Sequence, residues 1–186
     1  MSARFTLFET AIGPCGLVWG EHGIRGVQLP ERNGAATRAR LTGRYPDAQE
    51  HAPAAEIAAA RDAIVALIGG ESRDLRELSL DMCDLPALHR QVYEVARGIA
   101  PGATLTYGDI AIALGDRTLA QAVGQALGKN PYPIIVPCHR VLAAGGKIGG
   151  FSAPTGIALK RKLLAIESVH ARGASPSLFD SLRQAS

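Results

Sequence analysis

The chain has no lysine before residue 129, only three cysteines, one tryptophan and 5% aromatic residues in a length of 186. A small and odd cysteine count excludes a disulfide framework and fits a reducing compartment. No apolar run approaches ~18 residues, which excludes a membrane-spanning helix. Met1-Ser2-Ala3-Arg4-Phe5-Thr6 lacks the apolar segment of a secretory signal. A soluble, cytoplasmic protein is therefore expected. Cys15, Cys83, Cys138 and the five histidines show no ligand-pair spacing, so no metal is expected. What is present is 47% hydrophobic residues, enough for a packed core and too much for disorder. At ~150 residues per domain the length fits one compact domain or two small ones.

The net charge of +3 conceals an asymmetry. Residues 1–85 carry nine arginines against twelve acids, a net −3, whereas residues 86–170 carry nine basic residues against four acids, a net +5. An acidic unit followed by a basic one points to a polyanion as partner of the second. The bland reading is a solvated surface with uneven charge.

Patterning changes near the same place. Phe5-Thr6-Leu7-Phe8, Leu17-Val18-Trp19 and Ile24 to Leu29 read as short strands of an antiparallel meander, with Leu75, Leu78 and Leu80 as a last strand. Ala36 to Leu41 reads as a short helix. Ile57, Ala60, Ile64 and Leu67/Ile68 recur at helical spacing until Gly69-Gly70. From Asp84 onward helices dominate. Leu88, Val92, Val95/Ala96 and Ile99 mark one helix face, and Thr106-x-x-Asp109 has the spacing of a capping box. A helix from Tyr107 to Leu114 ends at Gly115, and a second, capped by Asp116 or Thr118, runs to Gly128. Two short helices across a Gly-containing turn make a helix-turn-helix candidate. Asn130-Pro131-x-Pro133 reads as an elbow, Ile134-Ile135-Val136 as a buried strand or core segment, Gly145-Gly146 as a hairpin turn and Leu159 to Ile166 as a last helix. The expected fold is an α/β (α+β) N-terminal domain with a small antiparallel sheet, residues 1–84. A mainly helical, winged-helix-like domain, residues 85–170, and a loose tail, residues 171–186, follow it.

Pro137-Cys138-His139-Arg140-Val141 is the sharpest chemical feature. An apolar run delivers a cysteine beside a histidine and an arginine. A thiolate is the competent nucleophile, and nearby positive charge lowers a thiol pKa. The competing reading is a small buried core cysteine.

The run Asn130-Pro-Tyr-Pro-Ile-Ile-Val-Pro-Cys138-His139-Arg140-Val141 closely resembles the active-site signature of the O6-alkylguanine-DNA alkyltransferases, or methylated-DNA–protein-cysteine methyltransferases. The resemblance extends to Thr106-Tyr107-Gly108-Asp109-Ile110-Ala111, Ala122-Val123-Gly124-Gln125-Ala126, Gly149-Gly150-Phe151-Ser152 and Lys160-x-x-Leu163-Leu164-x-x-Glu167. It covers residues 86–168 strongly and the first half more loosely. It implies that Cys138 accepts an alkyl group from a flipped-out O6-alkylguanine, with O4-alkylthymine as a further candidate lesion, in a reaction that consumes the protein. It also implies that His139 takes the thiol proton through a water and that Glu167 orients His139. Tyr107 would crowd the target phosphate and hydrogen-bond the base. Asn130 would tie the helix-turn-helix to the active-site loop, and Val141, Phe151 and Ser152 would line the base pocket. Arg117, Thr118, Ala120, Gln121, Ala122, Gly124 and Arg140 are the expected DNA contacts. The implied partner is double-stranded DNA carrying alkylated guanine, bound by a monomer without cofactor or membrane.

Two departures stand out. Gln121 occupies the place of the arginine that usually fills the gap left by the flipped base, with Arg117 as a substitute one turn earlier. Phe151-Ser152-Ala153-Pro154-Thr155-Gly156 is slightly longer than the shortest form of the pocket wall. The readings that compete are an alkyltransferase-like lesion-recognition protein, a DNA-binding regulator and, last, a cysteine hydrolase, for which no separate signature is visible.

Overall fold

The structure, a computed structural model, describes residues 3–148 and 156–171. Phe151, Ser152 and the tail from residue 172 lie outside the described residues. Three strands in succession, β1 (Arg4–Phe8), β2 (Cys15–Gly20) and β3 (Gly23–Gln28), pair antiparallel as their alternation predicts. The helix α1 (Gly34–Arg44) follows, its N-terminus capped by Asn33, whose side chain accepts from the Ala36 amide at 2.9 Å. A two-residue strand β4 (Gln49–Glu50) then adds to β1 in parallel, so the sheet of order β3-β2-β1-β4 is mixed rather than wholly antiparallel. The apolar helix α2 (Ala55–Ile68) ends at Gly69, as its glycine pair predicts.

The expected last strand over Leu75–Leu80 does not form. Only Leu80 bridges the sheet, parallel to Ile24, while Leu75 and Leu78 lie in a turn closed by a bond from the Leu78 amide to the Leu75 carbonyl. The helices α3 (Ala87–Arg97), α4 (Tyr107–Ala113) and α5 (Ala120–Gly128) come next, with the strand β5 (Leu105–Thr106) before α4. The capping box at Thr106 and Asp109 is complete in both directions. A single 3₁₀ turn, Arg117–Leu119, leads into α5. Asp116 rather than Thr118 caps that turn, accepting from both the amide and the hydroxyl of Thr118.

Ile134-Ile135-Val136 is buried but is not a strand. Prolines at 131, 133 and 137 strip the segment of amide donors, and it closes as a turn with Ile134 at φ 78°. A β-branched residue rarely adopts that conformation, so the loop is held there by its surroundings. The 3₁₀ turn Cys138–Arg140, the strand β6 (Val141–Leu142), a turn at Ala144–Gly146 and the helix α6 (Gly156–Ala171) complete the described chain. β6 pairs in parallel with β5, Leu105 opposite Val141, which brings the start of α4 beside the segment that follows Cys138.

One hydrophobic core crosses both halves. Leu17, Trp19 and Ile64 from the first half share it with Val92, Ile110, Val123, Val136 and Leu163 from the second. The seam between them is a backbone one. The Val27 amide donates to the Pro131 carbonyl at 2.9 Å, which seats the elbow before Cys138 on the edge of β3. Gly26 permits that approach. A Cβ there would collide with the Tyr45 hydroxyl and lie 3.1 Å from the Pro131 carbonyl. Overpacking of this kind costs roughly 1–3 kcal/mol. Gly26→Ala is therefore expected to lower Tm by several degrees in a thermal melt. An unchanged Tm would mean that this seam does not hold the two halves together.

Candidate active site

Asn130 follows α5 and is buried with both ends of its amide engaged. Its Nδ2 donates to the Val136 carbonyl at 2.9 Å, and its Oδ1 accepts from the Tyr132 amide at 2.9 Å. The amide thus clamps the turn that leads into Cys138. Within the turn the Val136 amide donates to Tyr132 and the Cys138 amide to Val136, both at 2.8 Å. Tyr132 is itself fixed by its hydroxyl on the Asp81 carbonyl and by an edge-on contact with Tyr93, whose hydroxyl donates to the Ala126 carbonyl of α5.

Cys138 is half-buried. Burial pushes its thiol pKa up, and the Asn130 hydrogen bond, the Lys160 charge and local amides pull it back only in part. This corrects the simple expectation that the adjacent basic residues generate a thiolate. The thiol rests protonated at neutral pH and needs a base.

His139 is the next residue. It is buried, and its Nε2 lies 2.9 Å from Glu167 Oε1. A carboxylate at Nε2 fixes the proton there, which leaves Nδ1 as the acceptor. Nδ1 is buried with no hydrogen-bond partner among the described residues. Burial lowers the His139 pKa, and the Glu167 carboxylate opposes this without reversing it, so the ring is neutral near pH 7. Glu167 is 4% exposed and joins α6 to the catalytic loop. Burial by itself would raise its pKa. Hydrogen bonds from His139 and Arg140, together with their charges, outweigh burial and hold it at about 2.

Arg140 is not a DNA contact. It is 5% exposed, with Nε 2.9 Å from Glu167 Oε2, Nη2 2.7 Å from Oε1, and Nη1 on the Ile99 carbonyl. A buried carboxylate demands a cation, and the planar guanidinium meets both oxygens at once. The sequence did not single out Lys160 for a role. It is fully buried, and its Nζ donates to the Val141 carbonyl at 2.6 Å. The signal was available, because Lys160 and Glu167 fall in phase with the buried Leu163 at positions i, i+3 and i+7 of one helix face. The Val141 carbonyl keeps a second lone pair for another donor.

Tyr107 opens α4 and is half-buried. Burial raises its pKa, and the nearness of Cys138 raises it further, so its hydroxyl is a neutral donor. Across from it lies Gly124, where a Cβ would sit 3.9 Å from the Tyr107 ring. Gln121 is exposed in the first turn of α5, Arg117 and Thr118 are exposed in the turn before it, and Ala120, Ala122 and Gly124 are half-buried. Small side chains on that helix leave room for a close approach by a partner.

Known proteins resemble this chain over most of its length. The family described as 6-O-methylguanine DNA methyltransferase, DNA binding domain, matches residues 87–169. The methylated-DNA–protein-cysteine methyltransferase of Mycobacterium tuberculosis is 34% identical over 95% of this chain and 99% of its own. That of Methanothermobacter thermautotrophicus is 31% identical over 85% of this chain and 81% of its own. The chain belongs to the methylated-DNA–protein-cysteine methyltransferase family. Among solved structures, the O6-methylguanine methyltransferase of M. tuberculosis superimposes with a TM-score of 0.73 at 29% identity, covering 94% of this chain and 96% of its own. The M. tuberculosis protein in complex with DNA gives 0.68 at 28% identity, over 89% and 93%.

The shared carboxylate gives this methyltransferase a definite acid response. Glu167 titrates at about 2 in the folded chain against an ordinary 4.5. Its stabilising contribution is therefore complete above pH 4.5 and disappears as pH falls toward 2. Glu167→Gln leaves Arg140 buried without its counter-charge, which costs about 3–5 kcal/mol. In denaturant titrations the variant is expected to be less stable by that amount at pH 7 and to lose the part of the acid response between pH 4.5 and 2. A variant as stable as the wild type at pH 7 would contradict this account.

Proposed function

We infer that the protein repairs DNA by moving the alkyl group of O6-alkylguanine onto Cys138 in a reaction that occurs once per molecule. The observation that carries the mechanism is the buried chain His139, Glu167, Arg140 directly after Cys138, with Nδ1 of His139 left without a partner among the described residues. A base flipped from the duplex presents its alkyl carbon to the sulfur. The Sγ–C bond forms as the C–O6 bond breaks, and the bonding pair stays on guanine, which takes the Tyr107 hydroxyl proton; Tyr107 is reprotonated from solvent as the imidazolium later releases its own proton. The thiol proton passes through a water to Nδ1, and the resulting imidazolium is stabilised by Glu167. Tyr107, held neutral, donates to the base, and Arg140 keeps Glu167 ionised and aimed. A thioether offers no easy exit, so the protein is consumed.

DNA is the partner in this reading, engaged by α4 and α5. Residues 85–170 carry the chemistry, residues 1–84 support them, and the protein acts as a monomer in the cytoplasm. Cys15 is buried with its pKa raised to about 12, and Cys83 is held high by Asp81. Neither competes with Cys138, because burial keeps Cys15 protonated and the negative charge of Asp81 keeps Cys83 so.

Incubation with duplex O6-methylguanine followed by intact-mass measurement is expected to add one methyl group per molecule, mapped to Cys138. Cys138→Ala should bind DNA and gain no mass. Methyl on Cys15 or Cys83 would overturn the assignment. DNA binding without any mass gain at a reduced Cys138 would favour a lesion-recognition protein. With free O6-benzylguanine, the single-turnover rate is expected to be flat near neutral pH. It should fall only below pH 6.5, the ordinary imidazole value, because the His139 pKa is lowered.

Gln121 is the second test. An uncharged side chain filling the gap left by the base lacks the stacking and cation–π contributions of arginine, each on the order of 0.5–2 kcal/mol. Gln121→Arg is expected to speed transfer from duplex DNA by roughly 3–30-fold on the scale of tenfold per 1.4 kcal/mol. The rate on the free base should not change, since no flipping is needed there. Equal changes on both substrates would place Gln121 in the fold or pocket instead. No change on either would point to Arg117.

A further inference from the structure

The first half of the chain has nine arginines and a net negative charge, and most of those arginines are neutralised locally. Arg25, Arg38, Arg61, Arg73 and Arg76 each have an acid within 3.1 Å. Arg4, Arg32, Arg40 and Arg44 lack such a close acid among the described residues, and of these Arg40 and Arg44 line one groove. Arg40 is 68% exposed and reaches only Glu31, at 4.0 Å. Arg44 has no ion pair among the described residues and lies over the Tyr45 ring, 5.5 Å from its centroid. Both line a groove of about 640 Å³ between the C-terminal turns of α1 and α5, opposite Lys129 and with Gly43 and Gly128 along it. Among the described residues, no acid lines this groove. A Cβ on Gly43 or Gly128 would meet nothing within 4 Å, so both glycines leave open surface.

The bland account is that Arg44 and Lys129 complement the negative ends of two helix dipoles. Each end amounts to about half a charge. Three cations against two such ends leave a surplus of roughly two positive charges. Two of the three are guanidiniums, which match phosphate oxygens in pairs. The position is also informative. Lys129 follows α5 directly, eight residues after Gln121, or about 12 Å at 1.5 Å per residue. Duplex DNA advances about 3.4 Å per nucleotide, so the groove lies within three to four nucleotides of a base placed at Gln121.

We propose that the groove between α1 and α5 binds the sugar-phosphate backbone of the DNA flanking the lesion, so that the N-terminal half contributes phosphate contacts to the complex. The proposal rests on the DNA-repair reading above. It assigns Arg40, Arg44 and Lys129 a binding role outside the machinery around Cys138.

The experiment compares wild type with Arg40→Gln/Arg44→Gln/Lys129→Gln and with the control Arg61→Gln/Arg73→Gln, whose arginines are already paired with acids. Duplex affinity is measured against salt concentration, and transfer from free O6-benzylguanine is measured in parallel. The triple variant is expected to lose at least tenfold in affinity near 0.1 M salt. The magnitude of its log–log salt slope should fall by about 2–3, since each phosphate that a cation neutralises adds about 0.9. Its rate on the free base should be that of wild type, and the control should keep both the affinity and the slope. Should the triple variant not fold, Arg44→Glu alone carries the test, with an expected slope change of about 1. An unchanged slope, or an equal loss in the control, overturns the groove. A wild type that neither binds duplex nor takes up an alkyl group overturns the repair reading instead, and the two failures are told apart by the wild-type measurement.

Discussion

A carboxylate placed 4% exposed in a protein interior needs compensation, and at Glu167 three residues supply it together. His139 and Arg140 come from the catalytic turn, and the Gly102 amide approaches Oε2 from the segment after α3. Arg140 in turn reaches back to the Ile99 carbonyl. The ion cluster therefore ties α6, the end of α3 and the cysteine loop into one assembly. The same hydrogen bonds that make the buried charge tolerable select the tautomer of His139 and leave its Nδ1 available. Stability and the proposed proton transfer rest on one set of atoms.

The loop that carries the nucleophile is defined from the other side by neutral groups. Three prolines leave few amides to pair, and Ile134 is held at φ 78°. The Asn130 amide, the Tyr132–Tyr93 contact and the Pro131–Val27 backbone bond together hold that arrangement. Because Asn130 lies two residues beyond α5, a displacement of α5 by a partner would be felt at the turn before Cys138 without passing through solvent. The N-terminal sheet is part of the support, since its edge strand takes the Pro131 carbonyl.

A protonated resting thiol has a functional logic. A permanently ionised, half-exposed cysteine in a protein used once would be lost to oxidation or to stray electrophiles. In the proposed mechanism a thiol raised by burial, with His139 the next residue, is activated only when substrate and a bridging water complete the proton path.

Much of this was legible in the residues. The helices were set by apolar periodicity and by local chemistry, such as the Thr106–Asp109 capping box and the Gly69-Gly70 stop, because those interactions span three or four residues. The Cys138-His139 pair with Glu167 was legible through a long resemblance in register. The rest depended on contacts distant in sequence. Arg140 read as a DNA contact because charge beside a cysteine looks exposed in a string of letters. Its burial follows from meeting Glu167, 27 residues later. Leu75 to Leu80 alternates as a strand does, but only Leu80 finds a partner edge. Ile134 to Val136 is apolar enough for a strand, yet its flanking prolines remove the donors a ladder needs. Local elements and the identity of the reacting atoms were thus written in the order of the residues. The ionisation of those atoms came only with folding, because a pKa is set by which groups are buried together.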